Sequence, residues 1–246
     1  MGDTRHSKGG NKETDKDNSI WGVREVQRAL FNTLPGSHNL LVYSDIRVLR
    51  KIYPDYVASL LDNNEIVLAL TYYDHPSTLK QILLNGDNKR TNLIDIEKYV
   101  QNGSLIIADS LKSHFNNEQR HQIINNGDKL NFLSLIRILL NHGIKSRRNG
   151  ITIFSDMGSF FHRNPYHDHI YNSSNDDNDN IIHNIMEYER SIPARYKELE
   201  LKNFCLYHQS DYELHFKSKR QKAQLLDCHN RSIMFMEGAK KNDYDM

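Results

Sequence analysis

Residues 65–86 read EIVLALTYYDHPSTLKQILLNG. Residues 66–70 are a continuous apolar run typical of a buried strand, and residues 77–84 carry apolar side chains at helical spacing. Asn85 and Gly86 follow as a pair that often ends a helix. A strand, a short polar turn and a helix in this order form the basic unit of an α/β protein, and in many nucleotide-binding proteins the turn holds a phosphate.

The turn at residues 72–78 lacks the parts of a working phosphate loop. Such a loop uses glycines to wrap the phosphates, a lysine at a fixed position, and a Ser or Thr for magnesium. The turn reads YYDHPST, with no glycine, and Lys80 lies beyond the position that the motif requires. Pro76 removes a backbone donor, and Asp74 would place a negative charge against a phosphate. We therefore predict that no triphosphate is hydrolysed here and that Asp74 or Ser77 caps the helix.

Strands and helices alternate along the rest of the chain. Further strands are predicted at NLLVYS, SLIIAD, GITIFSD, KNFCLYH and SIMFM. Helices are predicted at residues 21–31, 45–62 with a break at Pro54, 129–141 closed by Gly143, and 181–190. Short apolar strands separated by helices favour an α/β fold, a doubly wound, mostly parallel sheet flanked by helices.

The length of 246 residues allows one large domain. We predict a flexible tail at residues 1–19, a single domain at residues 20–237 and a C-terminal tail at residues 238–246. Residues 162–180 are polar without periodicity and predict a mobile surface loop. Residues 114–128 fit a loop and a short exposed helix equally well.

Composition narrows the class of partner. Lys and Arg number 32 against 31 Asp and Glu, which gives no overall attraction to nucleic acid or anionic membranes. The basic runs at residues 145–148 and 217–222 are interpreted as solvated surface, so no direct nucleic-acid contact is expected. The absence of a long apolar stretch and the presence of only two cysteines, Cys205 and Cys228, favour a cytoplasmic protein without a membrane segment.

Several histidines lie in or near the polar segment at residues 162–180 and are candidate ligands for a metal ion. The group consists of His162, His167 and His169, with Asp168 and His183 as further donors. Their spacing matches no established metal motif, and ordering a loop opposes binding. We therefore predict no metal site and no cofactor.

Several segments match one known family in order over about residues 37–236. They are HNLLVYSD, NNEIVLALTYYDHPSTLKQIL, GSLIIADS, GITIFSDMGSFF, IMEYERSI, NFCLYHQSDY and LLDCHNRSIMF. Together they resemble the MEDS domain, the sensory domain of methanogens and methylotrophs named partly after the DcmR regulator. The pairing of Tyr188 and Glu189 with Cys205 and Tyr207 is the most specific part of the resemblance.

The resemblance implies a RecA/KaiC-like fold with a degenerate phosphate loop that senses a small molecule. It also implies a transcription regulator or kinase as signalling partner. The chain departs from the family pattern at two places. Ser155, Asp156 and Met157 stand where the family tends to have Gly-Glu-Met, and Asn230 stands where a proline often follows the histidine. A ligand known for a relative therefore does not transfer directly.

Ligands of doubly wound sheets bind outside the carboxyl ends of the strands, so the residues that follow each strand are candidates. The candidate ligand-binding residues, from strand ends and from the family resemblance, are Tyr43, Tyr72, Tyr73, Asp74, His75, Asp109, Asp156, Met157, Glu189, Cys205 and Tyr207. Ser44 and His208 occupy equivalent strand-end positions.

These candidates have structural alternatives. Tyr43 and Tyr207 are equally compatible with packing roles, and Asp109 and Asp156 with caps. Glu189 is either exposed or, if buried, paired with a donor such as His38. Cys205 is expected to be a buried small hydrophobe and not a nucleophile.

The sequence thus predicts a non-catalytic sensory or ligand-binding domain with no catalytic residues. Two other functions stay open: a RecA-like protein with weak ATP binding and little hydrolysis, and a protein-protein adaptor. The ligand, the output partner and the oligomeric state are not predicted.

Overall fold

The computed structural model describes residues 23–85, 95–114, 131–162, 175–192, 195–196 and 199–235. Its strands are β1 His38–Tyr43, β2 Glu65–Thr71, β3 Leu105–Asp109, β4 Gly150–Asp156, β5 Arg195–Tyr196, β6 Leu199–His208 and β7 Arg231–Phe235. Its helices are α1 Val23–Phe31, α2 Ile46–Asp62, α3 Pro76–Leu84, α4 Ile96–Gln101, α5 Ser110–His114, α6 Asn131–Lys145, α7 Gly158–Phe161, α8 Asn175–Ser191, α9 Gln209–His215 and α10 Lys219–Asp227.

Six of the strands form one parallel sheet in the order β3-β2-β4-β6-β1-β7, and the two-residue strand β5 pairs antiparallel with β6. Apolar side chains from α6 and α8 cover one face of the sheet, and those from α1, α2 and α3 cover the other. The prediction of a doubly wound α/β fold is therefore confirmed. The central strands are buried on both faces, which explains why they appear in the sequence as continuous apolar runs.

A buried ion pair joins three strands near their amino ends. Lys202 Nζ on β6 lies 2.8 Å from Glu65 Oε1 on β2, and Thr152 on the intervening strand β4 donates to Glu65 Oε2 at 2.7 Å. Asn63 also donates to Glu65 Oε1, at 2.9 Å. The carboxylate is thus fully hydrogen-bonded, as a charge in a protein interior must be.

Two predicted helix boundaries are wrong. Helix α2 runs through Pro54 without a break, because buried neighbours such as Ile52 and Tyr56 pack both halves against the sheet. Helix α6 continues past Gly143 to Lys145. An added Cβ at Gly143 would lie 2.8 Å from Leu199 Cδ1, so this glycine allows close helix-sheet approach and does not end the helix.

The predicted loop at residues 162–180 is corrected in part, because residues 175–180 form the start of α8. There the Asn178 amide nitrogen donates to the backbone carbonyl of His215, and the Asn178 amide oxygen lies 2.8 Å from His215 Nδ1. These contacts anchor the start of α8 to α9. Residues 163–174, residues 115–130 and both predicted tails lie outside the described residues. Among the helices that are described, none has the length and apolar character needed to cross a bilayer.

Candidate functional site

The turn after β2 is fastened to the end of β4 by Asp156. Its Oδ2 accepts the backbone N–H groups of Tyr72 and Tyr73 at 3.1 and 3.2 Å, and its Oδ1 accepts the N–H of Gly158 at 3.0 Å. Met157 occupies the N-cap position of α7, but Asp156, for which a cap was one sequence interpretation, accepts the first N–H of that helix and also holds the neighbouring turn in place. Both oxygens of its carboxylate accept backbone N–H groups, so the carboxylate is not free to orient a ligand.

The same carboxyl group is poised to titrate near neutral pH. Burial raises the pKa of Asp156 to about 6, while the hydrogen bonds from Gly158, Tyr73 and Tyr72 act in the opposite direction. The nearby Asp211 also disfavours the ionised form. The protonation state of this brace therefore changes within the pH range of ordinary measurements.

Tyr73 crosses the end of β4 and meets residues that follow β4 and β6. Its phenol donates a hydrogen bond to Asp211 on α9 and lies 3.1 Å from His162 Nε2. His162 Nε2 in turn lies 3.1 Å from Asp211 Oδ1, and the His162 ring stacks on Tyr72 at a centroid distance of 5.7 Å. We call Tyr72, Tyr73, His162 and Asp211 the aromatic-acid cluster.

In this cluster, His162 and Asp211 each favour the charged form of the other. The hydrogen bond to Asp211 raises the pKa of His162 above its ordinary value. Burial opposes ionisation of Asp211, but hydrogen bonds from His162 and Tyr73 hold its pKa below its ordinary value. An imidazole whose protonation is favoured by its acid partner thus lies beside two aromatic rings, an arrangement suited to polar molecules with an apolar or cationic part.

Tyr43 ends β1 beside this cluster. Its ring is fully buried and meets His208 edge to face at a centroid distance of 5.3 Å, while His208 lies 5.1 Å from the Tyr73 ring. Among the described residues, the Tyr43 hydroxyl has no hydrogen-bond partner, and neither does the buried hydroxyl of Thr71 at the end of β2. Two unsatisfied hydroxyls therefore lie at the carboxyl edge of the sheet, where α/β proteins bind ligands.

Two further predicted site residues, Asp74 and His75, have structural roles. Asp74 is buried and paired with Arg50, with a distance of 3.1 Å from Arg50 Nε to Asp74 Oδ2. His75, and not Asp74 or Ser77, caps α3, because Asp74 is engaged by the guanidinium. Pro76 lies in the first turn, as predicted.

Asp109 and Met157 also have structural roles, although both were predicted to contact a ligand. Asp109 Oδ1 accepts the Lys112 N–H at 2.9 Å and so caps the short helix α5, which matches its alternative interpretation. The Met157 side chain is completely buried in the core, and its backbone N–H donates to Leu206 O at 2.9 Å.

Cys205 and Tyr207 lie on the face of the sheet covered by α6 and α8, and Glu189 on α8 contacts both of them. Glu189 is buried, which contradicts the exposed alternative, and its Oε2 lies 2.9 Å from His38 Nε2, the partner expected for a buried Glu189. His229 Nε2 lies 3.3 Å from the same oxygen. We call His38, Glu189, Cys205 and His229 the interior cluster.

The titration behaviour of the interior cluster follows from these contacts. Burial opposes ionisation of Glu189, but the adjacent His229 and His38 hold its pKa below the ordinary value. Burial and then the charge of Glu189 raise the pKa of Cys205 well above that of a free thiol. The expectation that Cys205 is buried is confirmed, and in the arrangement shown it is a thiol that donates to Glu189 Oε2 at 3.1 Å.

A further polar network was not predicted. His114 on α5 lies within 3.2 Å of the hydroxyls of Ser155 and Tyr188 through Nε2, and of Ser110 and Ser159 through Nδ1. Burial lowers the pKa of His114 to about 3. Such a network joins three helices to β4, and neither residue spacing nor strand-end position indicates it.

The predicted loop histidines do not form a metal cluster in the described residues. His162 belongs to the aromatic-acid cluster, and His183 is exposed on α8, 3.4 Å from Glu187. His167, Asp168 and His169 lie outside the described residues.

Sequence reasoning missed the roles of His162 and Asp211 in the strand-end site, and missed His229 in the interior cluster. Asp211 lies only three residues beyond β6, so an extension of the strand-end rule would have included it. His229 precedes β7 and meets Glu189 only through the tertiary fold, which no local pattern reveals.

The chain matches no protein-family model and no curated protein sequence.

Proposed function

We propose that this protein is a non-catalytic sensory domain that binds a small organic molecule at the carboxyl edge of its sheet and signals through a partner protein. The proposal rests on the Tyr43 hydroxyl. It is fully buried, has no hydrogen-bond partner among the described residues, and ends β1 next to His208 and the aromatic-acid cluster. An unsatisfied buried hydroxyl costs about 1–3 kcal/mol, which a ligand with a matching polar group would recover.

The lining supports a ligand that is part apolar and part polar. The rings of Tyr72 and Tyr73 supply apolar area, and the partly exposed imidazole of His162, held in place by the buried Asp211, supplies a polar group. The resemblance to the MEDS domain supports the sensory role and a regulator or kinase as the partner, and a cytoplasmic location belongs to the same proposal.

Two turns argue against nucleotide hydrolysis. The turn after β2 lacks glycine and its Asp74 pairs with Arg50. The turn after β1 consists of Ser44 and Asp45 alone, and Asp45 accepts the Arg47 N–H at 2.8 Å to cap α2. Neither turn offers a run of free amides long enough to wrap a triphosphate.

The test compares Tyr43→Phe with Tyr56→Phe. The Tyr56 hydroxyl is also buried without a partner among the described residues, so it is a matched control. It lies at the opposite edge of the sheet, where burial and the charge of Glu65 at the start of β2 raise its pKa. The melting temperatures of both variants and of the unmodified protein are measured in the presence of short alcohols, methylated amines or short carboxylic acids. A separate set of measurements uses ATP or ADP plus magnesium.

We expect at least one organic probe to raise the melting temperature of the unmodified protein and of Tyr56→Phe, with a smaller rise in Tyr43→Phe. Stabilisation by nucleotide alone would support the nucleotide-binding alternative. An equal response in all three proteins would place the ligand elsewhere, and no response to any compound would favour the adaptor.

A further inference from the structure

The interior cluster joins four distant parts of the chain. His38 begins β1, Glu189 lies near the end of α8, Cys205 lies in β6, and His229 precedes β7. Their exposed fractions are 6%, 1%, 0% and 7% in that order. Each side chain offers a ligand atom of the kind that binds a transition metal, and all of these atoms lie within 4.8 Å of one another.

The distances suit a small tetrahedral ion. From Glu189 Oε2, His38 Nε2 lies at 2.9 Å, Cys205 Sγ at 3.1 Å and His229 Nε2 at 3.3 Å, and the separation from His38 Nε2 to Cys205 Sγ is 3.2 Å. Tetrahedral Zn²⁺ would place its nitrogen and oxygen ligands about 3.4 Å apart, and nitrogen and sulfur about 3.6 Å apart. These four separations would each have to lengthen by up to a few tenths of an ångström to admit the ion, while the separations of His229 Nε2 from His38 Nε2 and from Cys205 Sγ lie within 4.8 Å.

Hydrogen bonds alone satisfy this arrangement poorly. Glu189 Oε2 faces two imidazole nitrogens and a thiol within 3.3 Å, yet a carboxylate oxygen has only two lone pairs. Its other oxygen, Oε1, is already taken, because Tyr207 donates its phenolic hydrogen to it. A cation placed among the four groups would be bound by the two imidazole nitrogens, the sulfur and this carboxylate oxygen together.

The surroundings orient the ligand atoms. His229 Nδ1 lies 2.7 Å from Leu225 O, and since a carbonyl only accepts, Nδ1 carries a hydrogen and Nε2 faces the cluster. His38 is held through its backbone, whose N–H donates to Asn230 Oδ1 at 2.7 Å and whose carbonyl accepts the Asn230 N–H at 2.7 Å. Such outer contacts are typical of protein metal sites.

We propose that His38, Glu189, Cys205 and His229 form a binding site for one divalent transition metal ion, best suited to Zn²⁺. The thiolate and the two imidazoles disfavour Mg²⁺ and Ca²⁺, which prefer all-oxygen sites. On binding, Cys205 releases its proton to solvent, and a thiolate and a carboxylate then neutralise the two charges of the ion in a dry interior. Four protein ligands leave no open position, so the metal ties β1, α8, β6 and the start of β7 together.

The test uses the two cysteines of the chain. Cys228 is half-buried, and its thiol donates to Gln224 O at 3.4 Å, so Cys228→Ser removes a thiol outside the cluster. The full chain, with any affinity tag removed, is stripped with a chelator and titrated with Zn²⁺ and with Co²⁺. Metal content is measured by mass spectrometry, and the near-ultraviolet absorption reports charge transfer from a thiolate to Co²⁺.

We expect about one metal ion per chain in the unmodified protein and in Cys228→Ser, both with the charge-transfer band. Cys205→Ser should lose the band. Tyr207→Phe should keep it with an affinity about 10- to 100-fold lower, since loss of an outer partner has this effect at other sites.

Cys228→Ser decides the matter even if Cys205→Ser fails to fold, because Cys205 is then the only thiol in the chain. The absence of stoichiometric metal binding and of the band in Cys228→Ser overturns the proposal. A band that disappears in Cys228→Ser and persists in Cys205→Ser overturns it as well.

Discussion

Asp156 and Tyr73 are joined by a hydrogen bond from the Tyr73 backbone N–H to Asp156 Oδ2, at 3.2 Å. This contact links the end of β4 to the turn after β2, and the same oxygen also accepts the N–H of Tyr72. The two tyrosines of the proposed ligand site are thus positioned through their backbone by a buried acid, while their side chains contact His162 and Asp211.

The first prediction concerns the pH dependence of this brace. Its pKa is about 6 in the folded protein and about 3.9 in an unfolded chain, so between these values the folded state holds more protons. The contribution of Asp156 to stability is therefore complete below about pH 4 and is lost as the pH rises past about 6. We expect the free energy of unfolding of the unmodified protein, relative to Asp156→Asn, to fall by on the order of 3 kcal/mol from pH 4 to pH 7.

Urea unfolding of the two proteins across this range measures the effect, and the difference between them cancels groups that both contain. Asp156→Ala is a second variant, expected to destabilise the protein at all pH values because three backbone N–H groups lose their acceptor. A difference between the unmodified protein and Asp156→Asn that does not change with pH would show that this carboxyl group does not titrate as described.

The fold was predictable because its strands are continuous apolar runs. Segments such as GITIFSD and EIVLAL are too short for buried helices and are bounded by turn residues, so pattern alone identifies them. The helix ends were less predictable. Pro54 and Gly143 normally interrupt helices, but tertiary packing overrides the local preference at Pro54, and at Gly143 the missing side chain leaves room for Leu199 of the sheet.

The candidate site was predictable only in part. Strand-end position correctly brought Tyr43, Tyr72, Tyr73 and Asp156 to one edge of the sheet. Strand-end position does not show which polar groups already have an ion-pair partner. It therefore predicts Asp74 as a ligand-binding residue, although Asp74 forms an ion pair with Arg50. The interior cluster depends on four segments up to 191 positions apart, such as His38 and His229, and only the folded chain shows that they meet.

The second prediction tests the contact between α7 and the two tyrosines. A Cβ added at Gly158 would lie 2.5 Å from Tyr72 Cδ1 and 2.7 Å from Tyr73 Cε2, which are atoms of rigid rings. We expect Gly158→Ala to cost about 1–3 kcal/mol in the free energy of unfolding and to disturb the stack of Tyr72 on His162. Denaturant unfolding and the ring chemical shifts of the two tyrosines measure these effects.

Gly143→Ala is the matched control for this variant. Its Cβ would also be crowded, but by Leu199 Cδ1 and Ile66 Cδ1, which are ends of flexible side chains, and alanine favours a helix over glycine by up to about 1 kcal/mol. We expect a change smaller than that of Gly158→Ala and no movement of the tyrosine signals. Equal costs for the two variants would contradict a special role for the space at Gly158.

The third prediction concerns the charge pair of the aromatic-acid cluster. The hydrogen bond to Asp211 is the main cause of the raised pKa of His162, so Asp211→Asn should lower that pKa toward the ordinary histidine value. Imidazole proton signals followed by NMR from pH 5 to pH 9 would measure it. Glu187→Gln, which removes the partner of the exposed His183, should leave the His162 titration unchanged. A His162 pKa that is the same in Asp211→Asn and in the unmodified protein would contradict the pairing.

The fourth prediction compares two Lys-Glu pairs of equal length and different burial. Lys202 lies 2.8 Å from Glu65 in the interior, and Lys80 lies 2.8 Å from Glu97 at the surface. We expect Lys202→Met to cost about 3–5 kcal/mol because it leaves Glu65 buried without its counter-charge. Lys80→Met should cost less than about 1 kcal/mol, since exposed pairs are screened by solvent.

Adding Glu65→Gln to Lys202→Met should recover part of the lost stability, because the double variant contains no unpaired charge while Thr152 can still donate to the amide oxygen at position 65. Urea unfolding of the four proteins of this cycle, at one pH and ionic strength, gives the coupling energy between the two side chains. A double variant no more stable than Lys202→Met alone would show that the lysine acts through packing of its aliphatic stem and not through its charge.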